Sequence, residues 1–494
     1  MKFIRSSFAD IYNIRSRESN SRSFSEESQA SEGTMSYYDG SGFHLYAQLS
    51  LQLKYTAPEN VADATKSFEI IQRYTDIAEA CSRQFTGRIL EVQGERLHLF
   101  FEKELTKNTL RQMLILCMVF TNTVYDNKLS LGEDAFEGFR IVFDYGRALI
   151  LSTGANADDS FVSLGPCANR PAKYLPNVAA GTTSMPIEIA KLLFDVDERR
   201  TWHTMNLKGR SSLTLSADES RNLSNFSATA SQALRKVYAS NAFFVRTDRM
   251  TTDSRFNFSS ANLQQGFFMR ADLDGFTKKV QDAFESNSEQ IIHSLLLDFV
   301  NVLRYGEQFI AQTGRPVIRL PWAGDCVNIL LLPRTIESIG DAQLYYSAKG
   351  QADWLSGYNG KIKPPFDGAK WLVSMCCGDA SCGNRNVLIA QVKTSERDFL
   401  FAVGWSVGRS LAALEIAGTR AGDAVTSKID YDALEFEYQK YFSPVTTVFM
   451  KSGTLHRLIE DGKTYIPSLI TRSRNVPGIA ILTPKPRPYW CEEH

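Results

Sequence analysis

The spacing of apolar residues predicts a regular order of strands and helices in the first half of the chain. Apolar and polar residues alternate over 42–55, which is typical of a strand with one buried face. A helix is predicted over 61–85, where apolar residues recur near every 3.6 positions, followed by a hairpin over 89–101, a helix over 105–123 and strands over 139–152. The strand positions are Leu45, Ala47, Leu49 and Leu51, and the helical positions are Phe68, Ile71, Ile77 and Cys81.

The second half of the chain repeats this order. From Gly266 the pattern predicts a strand over 267–272, helices over 277–284 and 291–303, a hairpin over 317–332 and paired strands over 371–377 and 386–393. Segment 139–146 matches 372–378, and segment 165–173 matches 404–412, where each begins with glycine and carries alanine seven or eight residues later. We therefore expect an α+β protein, an α/β sandwich, built from two tandem domains.

Composition sets the boundaries of these domains. Residues 1–36 are rich in Ser, Arg and Glu and poor in apolar residues, which predicts a disordered arm. The domains are predicted at 37–203 and 263–440, and 204–262 is a Ser-, Asn- and Thr-rich linker in which 228–238 is compatible with a short helix. Residues 441–494 form a C-terminal extension to which the sequence assigns no role.

Charge and apolar content exclude several classes of function. The chain has 55 acidic and 55 basic residues, so we expect no nucleic-acid partner. No run approaches the roughly 18 apolar residues of a membrane span, and the N-terminus lacks the apolar core of a signal peptide, so we expect a cytosolic protein without membrane contact. Cys376, Cys377 and Cys382 lack zinc-ligand spacing and indicate buried thiols.

Two acids of the second half lie beside glycines where predicted strands end or bend. Asp272 lies just before Gly275, and Asp325 directly follows Gly324. If folding brings the two carboxylates together, they supply the hard oxygen ligands that divalent ions prefer in phosphoryl transfer. In the first half, Gln48 stands about where Asp272 falls and the hairpin reads Gln93-Gly94-Glu95, so we expect metal ligands only in the second half.

Segment 269–277, which reads Met-Arg-Ala-Asp-Leu-Asp-Gly-Phe-Thr, resembles the class III nucleotidyl cyclase family, and most closely the pyrimidine cyclases of the Pycsar antiphage defence system. The resemblance extends over about 40–200 and 264–435. It implies two tandem cyclase homology domains with ferredoxin-like sheet cores, which form an intramolecular pseudo-heterodimer with the active site at the seam.

The resemblance also implies a role for individual residues. Asp272, Asp325 and the carbonyl of Leu273 match the family's ligands for two Mn²⁺ or Mg²⁺ ions, and Asn169 matches the partner domain's catalytic asparagine. Lys173 stands where the family has arginine, which keeps the charge but loses the bidentate fork. The matching positions of the second half are Gly408 and Ala412, which implies one composite site per chain.

The residues that recognise the nucleotide base are expected in the first half, which lacks the metal ligands. Glu91, Val162 and Ser163 match the family's base-reading positions, and Phe276 completes the predicted nucleotide-binding set. A carboxylate at Glu91 accepts from an exocyclic amine, which cytosine N4 offers and uracil O4 does not, so CTP is favoured over UTP. GTP stays open because guanine also presents donors, and Glu91 as a solvated hairpin charge is the alternative.

The predicted function is a cytidylate cyclase that converts CTP to 3′,5′-cyclic CMP and pyrophosphate by two-metal catalysis. By resemblance, the product is a second messenger of antiphage defence that a separate effector protein reads. The alternatives are a uridylate cyclase, a purine cyclase (adenylate or guanylate), a catalytically silent nucleotide-binding regulator, and a scaffold that uses the C-terminal extension. Homo-oligomerisation stays open.

Overall fold

The computed structural model describes most of the first half of the chain and separate stretches of the second. The described residues are 4–6, 35–127, 131–132, 135–152, 161–207, 262–265, 267–273, 276–288, 290–292, 295, 299, 317–331, 371–376, 386–404, 407, 416–417, 424–426, 442–444, 449–450, 458–460, 463–465 and 482–484. The helix expected over 228–238 and the positions Gly408 and Ala412 lie outside them.

The first half (residues 4–207) is a mixed sheet with two long helices, α2 and α3. Its strands run in the order β3-β4-β2-β5-β7-β8, with β1 paired to β2 and β6 paired to β5; only β5 and β7 pair in parallel. The strands are β1 Ile4–Ser6, β2 Met35–Leu51, β3 Arg88–Gln93, β4 Arg96–Phe101, β5 Phe136–Ser152, β6 Phe161–Leu164, β7 Thr182–Pro186 and β8 Trp202–Asn206. The helices are α1 Leu53–Thr56, α2 Val61–Gln84, α3 Lys107–Asp126, α4 Pro166–Tyr174 and α5 Ile187–Ala190, with a 3₁₀ turn at Leu175–Asn177.

Both long helices begin at residues whose side chains satisfy free backbone N–H groups. The side chain of Asn60 accepts from the backbone N–H of Asp63 at 2.9 Å, and Thr106 and Thr109 form a reciprocal capping box. Caps of this kind each contribute about 1 kcal/mol. They fix where α2 and α3 start, and the apolar faces of both helices then pack against the sheet.

The central strand β2 separates an apolar face from a polar one. Leu45, Ala47 and Leu49 are fully buried in the core under α2 and α3, as their alternation predicts. His44 and Tyr46 have the opposite parity and therefore lie on the other face. This second face carries polar side chains and lies towards α4, so the sheet itself defines where a polar site can form.

The second half (residues 262–484) has a sheet of the same design. Its strands run in the order β11-β12-β10-β13-β17-β22-β18, and β15-β14-β9 form a separate three-stranded sheet. The short strands β16 and β19 pair with each other, as do β20 and β21. The strands are β9 Asn262–Gln265, β10 Phe267–Leu273, β11 Val317–Ala323, β12 Cys326–Leu331, β13 Trp371–Cys376, β14 Asn386–Lys393, β15 Asp398–Gly404, β16 Ile416–Ala417, β17 Ala424–Thr426, β18 Phe442–Pro444, β19 Phe449–Met450, β20 Leu458–Glu460, β21 Lys463–Tyr465 and β22 Leu482–Pro484. Helix α6 spans Phe276–Glu285.

The strand registers make the two halves equivalent. Gln48 on β2 pairs with Arg96, the residue after the β3–β4 turn, and Asp272 on β10 pairs with Cys326, the residue after the β11–β12 turn. The parallel pair β5–β7 has its counterpart in β13–β17. The expected repeat is therefore present as a repeat of topology and register.

The three-stranded sheet packs between the two halves. On β14, Val387 and Ile389 pack in the core of the second half, while Leu388, Ala390 and Val392 pack in the core of the first half. Burial of each large apolar side chain contributes about 1.5–3 kcal/mol. The backbone of Lys393 also pairs with both side-chain groups of Gln72 on α2, at 2.9 Å each. The halves are thus joined by a continuous buried interface.

Some described strands lie beyond the predicted domain bounds. Within the arm expected to be disordered, Ile4–Ser6 pairs with residues 35–37 of β2, because an exposed strand edge recruits backbone whatever the side chains are. The first domain extends beyond residue 203, since Trp202–Asn206 forms β8 against β7. The C-terminal extension is part of the fold, because β18 and β22 extend the sheet of the second half.

The strands predicted as a pair over 371–377 and 386–393 belong to different sheets. β13 pairs with β10 and β17, whereas β14 pairs with β9 and β15. Local periodicity identifies strands but does not determine their partners. Among the described helices, none is long and apolar enough to cross a membrane.

Candidate composite site between the two halves

Helix α4 carries the predicted catalytic pair Asn169 and Lys173. The two residues are four positions apart, which places them on one face of the helix. Lys173 is exposed and Asn169 is partly buried. The Nδ2 atom of Asn169 is buried and has no hydrogen-bond partner among the described residues. A buried donor without a partner is costly, so this amide suits a ligand that accepts a hydrogen bond.

Lys173 reaches across to the second half. Its Nζ atom donates to Oγ1 of Thr277 at 2.5 Å, and α4 and α6 contact each other. Thr277 lies in the first turn of α6, shortly after β10 ends at Leu273. The contact therefore brings α4 of the first half close to the segment of the second half that contains Asp272.

The second-half acids lie at adjoining points of one sheet. Asp272 pairs with Cys326, and Asp325 directly precedes that residue in the turn. Gly324 adopts a left-handed φ of +65°, which permits the tight turn. Asp272, Asp325 and the Leu273 carbonyl offer only oxygen donors, which Mg²⁺ and Mn²⁺ prefer, so the chemistry of these residue types fits the expected ions. Among the described side chains, no group of three or more His, Cys, Asp or Glu residues converges as a metal site.

The corresponding place in the first half is formed by Gln48 and the β3–β4 hairpin, where the sequence predicts no metal ligands. The equivalence of the hairpins puts Glu95 in the position of Asp325, so only the Asp272 position, held by Gln48, has lost its carboxylate. Burial raises the pKa of Glu95, while a hydrogen bond from Gln48 and the charges of Arg96 and Arg140 oppose that rise. An amide and two guanidinium groups therefore surround this carboxylate.

Glu91 is buried, which excludes the alternative of a solvated hairpin charge. Its exposure is 8%, and burial raises the pKa of its carboxyl to about 7, with a hydrogen bond from Gln93 and the charge of Arg96 opposing. A register shift between Ile89 and Glu91 inserts an extra residue in β3, so that Glu91 pairs with His98. The bulge turns Glu91 to the polar face of the sheet.

A column of side chains that sequence reasoning had not assigned to the site flanks Glu91. The ring of His98 stacks on that of Tyr46, with centroids 4.1 Å apart. The guanidinium of Arg96 also lies over the Tyr46 ring, 4.9 Å from its centroid. His98 also shares a hydrogen bond of 3.0 Å with His44. Burial lowers the pKa of both histidines, so both are neutral at pH 7. The alternation of β4, with Arg96 and His98 on its polar positions, is the sequence signal for this column.

Val162 and Ser163 lie on β6, and β6 contacts β3. Ser163 is buried, and its Oγ atom has no hydrogen-bond partner among the described residues. The fold thus places Ser163 and Glu91 on strands that contact each other. Phe276 does not join them through its side chain, because its ring is buried against Phe299 with centroids 5.0 Å apart.

A second unpredicted feature lies beneath α4. Asp144 on β5 is fully buried, and its Oδ2 accepts from Nε and Nη2 of Arg170 at 2.9 and 2.8 Å. Its Oδ1 accepts from the backbone N–H of Tyr145 at 2.7 Å. Burial raises the pKa of Asp144 to about 6, although Arg170 and the Tyr145 N–H oppose the rise. Arg170 directly follows Asn169 in the helix.

No protein-family model matches the chain, and no curated protein matches it. Among solved structures, it is similar to a class III adenylyl cyclase-like ATP-binding protein from Pseudomonas aeruginosa, with a TM-score of 0.61, 16% identity, and coverage of 82% of this chain and 87% of that one. At this identity the likeness shows the fold alone: the chain has the class III adenylyl cyclase-like fold over both halves.

Two adenylyl cyclase structures are matched more weakly. A bacterial light-regulated adenylyl cyclase is 11% identical with a TM-score of 0.29, covering 90% of this chain and 94% of that one. The adenylyl cyclase CyaB from P. aeruginosa is 13% identical with a TM-score of 0.26, covering 46% and 96%. These scores are too low to carry an argument.

Proposed function

We propose that the protein is a nucleotidyl cyclase that converts CTP to 3′,5′-cyclic CMP and pyrophosphate at one composite site. The observation that carries this proposal is the contact between Lys173 and Thr277. It joins the helix with Asn169 to the strand end with Asp272, across the interface between the halves. A nucleotide bound there would meet acids from one half and a cation and an amide from the other.

In the proposed reaction, the ribose 3′ oxygen attacks the α-phosphorus, the bond to the bridging oxygen of the β-phosphate breaks, and the hydroxyl proton is released to solvent. Most of the rate enhancement in such a displacement comes from positioning and charge stabilisation. Asp272, Asp325 and the Leu273 carbonyl would hold the divalent ions. When bound, these ions lower the pKa of the hydroxyl and neutralise the leaving phosphates.

Lys173 and Asn169 act from the opposite side. Lys173 donates to the Thr277 hydroxyl, and an α-phosphoryl oxygen of a bound nucleotide would replace that hydroxyl as acceptor. A charged donor aimed at developing negative charge stabilises the transition state more than the ground state. The unpartnered Nδ2 of Asn169 would donate to the ribose ring and hold the 3′ oxygen in line.

Base selection is proposed for Glu91 and Ser163. An ionised Glu91 accepts from cytosine N4, and the unpartnered Ser163 hydroxyl on the neighbouring strand can donate to a base carbonyl. We extend the proposal to the biological role implied by the resemblance, a second messenger of antiphage defence that a separate effector protein reads.

The test uses purified full-length protein, Mn²⁺ or Mg²⁺ and each of ATP, GTP, CTP and UTP in turn, with products identified by mass spectrometry. Cyclic CMP with equimolar pyrophosphate is the expected result, and Asp325→Ala should abolish it. Cyclic UMP or a cyclic purine nucleotide as the product would support the cyclisation reaction but show that the proposed base is wrong. The proposal is falsified if none of the four nucleotides yields a cyclic product while the folded protein binds them.

Nucleotide binding without cyclisation is the second candidate function. Two observations favour it: the similar structure from P. aeruginosa is described as an ATP-binding protein, and Lys173 stands where the family has arginine. Isothermal titration calorimetry separates the two candidates. Binding with no product, unchanged in the Lys173→Arg variant, would support the silent regulator.

A further inference from the structure

Helix α4 lacks the local features that usually stabilise a helix. It spans nine residues, contains Pro171 in its interior, and begins at Gly165 without a side-chain cap. An interior proline removes a helical hydrogen bond and costs about 3 kcal/mol. The two residues proposed to act on the nucleotide nevertheless need a defined orientation, so tertiary contacts must supply it.

We propose that the ion pair between the buried Asp144 and the half-exposed Arg170 positions α4 and so directs Asn169 and Lys173 towards the second half. Arg170 lies between these two residues in the helix, and its guanidinium is held by two hydrogen bonds to one carboxylate oxygen. Asp144 sits on β5, which is part of the central sheet. The pair therefore connects the middle of α4 to the central sheet of the first half. The proposal rests on the proposed function only for its effect on activity.

The pair is asymmetric in its burial. The side chain of Asp144 is 1% exposed and that of Arg170 is 53% exposed. Removal of the arginine leaves a buried carboxylate without its cation, whereas removal of the carboxylate leaves a guanidinium that water can solvate. Loss of either partner should release α4, but only the loss of Arg170 should strongly destabilise the fold.

Other groups around Asp144 do not replace Arg170. His44 lies opposite on β2, is neutral and is engaged with His98; Cys167 lies on α4; and Glu188 on α5 adds a like charge. Burial raises the pKa of Asp144 to about 6, so the fold favours the neutral carboxyl over the ionised one. The stability that comes from this preference is fully present below the ordinary pKa of an aspartate and is lost as the pH rises through 6. At pH 7.5 the carboxyl is ionised and holds Arg170, and protonation near pH 5.5 weakens that hold.

The experiment compares wild type, Asp144→Asn, Arg170→Gln, Arg170→Lys and the double variant by hydrogen–deuterium exchange and thermal unfolding at pH 7.5. In Asp144→Asn, exchange over 166–174 should rise about tenfold while α2 and α3 stay unchanged, and Tm should move by less than about 2 °C. Arg170→Gln should give the same exchange and a Tm about 5 °C lower, and Arg170→Lys should recover part of both losses. Asp39→Asn is the matched control, since Asp39 forms a similar pair with Arg147 and should leave α4 unchanged.

In the active enzyme, Asp144→Asn should lower kcat and kcat/KM together by about tenfold with KM within twofold, because Asn169 and Lys173 act in the transition state. The wild-type kcat should fall below pH 6, and this acid limb should be absent in the variant. Unchanged exchange over 166–174 in both single variants would overturn the positioning role, whatever the activity. If exchange over 166–174 rises in the variants but the wild-type protein has no cyclase activity, the positioning role of the ion pair is kept and the proposed function is rejected.

Discussion

The two hairpins hold equivalent acids in different surroundings. The β3–β4 and β11–β12 turns have the same register and the same left-handed glycine, and each is followed by an acid, Glu95 or Asp325. The difference lies on the central strand, where Gln48 replaces Asp272. The amide of Gln48 donates to Glu95, and the charges of Arg96 and Arg140 also lie close enough to lower its pKa. Neighbours that already satisfy a carboxylate leave it less suited to bind a cation.

The largest expected difference between the halves comes from these hairpin acids. Asp325→Ala should lower kcat by at least about 10³-fold, because a divalent ion loses a ligand. The matched variant Glu95→Gln removes the acid at the same position of the other half and should leave kcat within about threefold. Initial rates of pyrophosphate release measure both. Equal losses would mean that the halves do not divide the roles as proposed.

Variants of Lys173 on α4 should give the next largest effect. Lys173→Ala should lower kcat about 10²-fold, since a charged transition-state donor is lost, whereas Lys173→Arg should retain activity within about tenfold. Lys191→Ala serves as the control, because Lys191 pairs with Glu198 on the surface of the same half. A Lys173→Ala enzyme with wild-type kcat would remove Lys173 from the chemistry.

The pH dependence of base choice tests the base-reading residue. The pKa of Glu91 is raised by burial to about 7, so lowering the pH from 8 to 6 protonates it, and a protonated carboxyl donates to uracil O4 instead of accepting from cytosine N4. The ratio of kcat/KM for CTP to that for UTP should therefore fall about tenfold over this range.

Two variants sharpen this measurement. Glu91→Gln should make the ratio independent of pH. Asp76→Asn should leave the pH dependence intact, although burial also raises the pKa of Asp76 to about 7, because Asp76 lies on α2 and not on the polar face. A ratio that does not change with pH in the wild type would contradict the role of Glu91.

The smallest effect compares the turn glycines by stability. Alanine at either position has the same left-handed strain, but a Cβ on Gly94 would lie 2.5 Å from Cγ1 of Val403, and a Cβ on Gly324 would meet no atom of the described structure within 4 Å. Gly94→Ala should therefore lower the free energy of unfolding by about 1 kcal/mol more than Gly324→Ala. Urea unfolding measures the difference, and equal values would show that the β3–β4 turn is not packed against the second half.

The sequence by itself determined the elements that local periodicity encodes. The alternation around Leu45, the helix over 61–85 and the repeated order of elements all follow from the side-chain period of strands and helices. The spacing of Asn169 and Lys173 likewise placed both on one helical face. The family resemblance then suggested which acids to pair, and the register of β10 with β12 brings them to adjoining positions.

Only the tertiary structure decided which groups act on one another. The bulge in β3 turned Glu91 to the polar face, the register placed Glu95 beside Gln48, and β5 brought Asp144 beneath Arg170. Each depends on a contact between residues far apart in the chain or on one inserted residue, neither of which leaves a local periodic signal. The same holds for β18 and β22, because a strand's partners are chosen by the sheet edge that the rest of the fold leaves open.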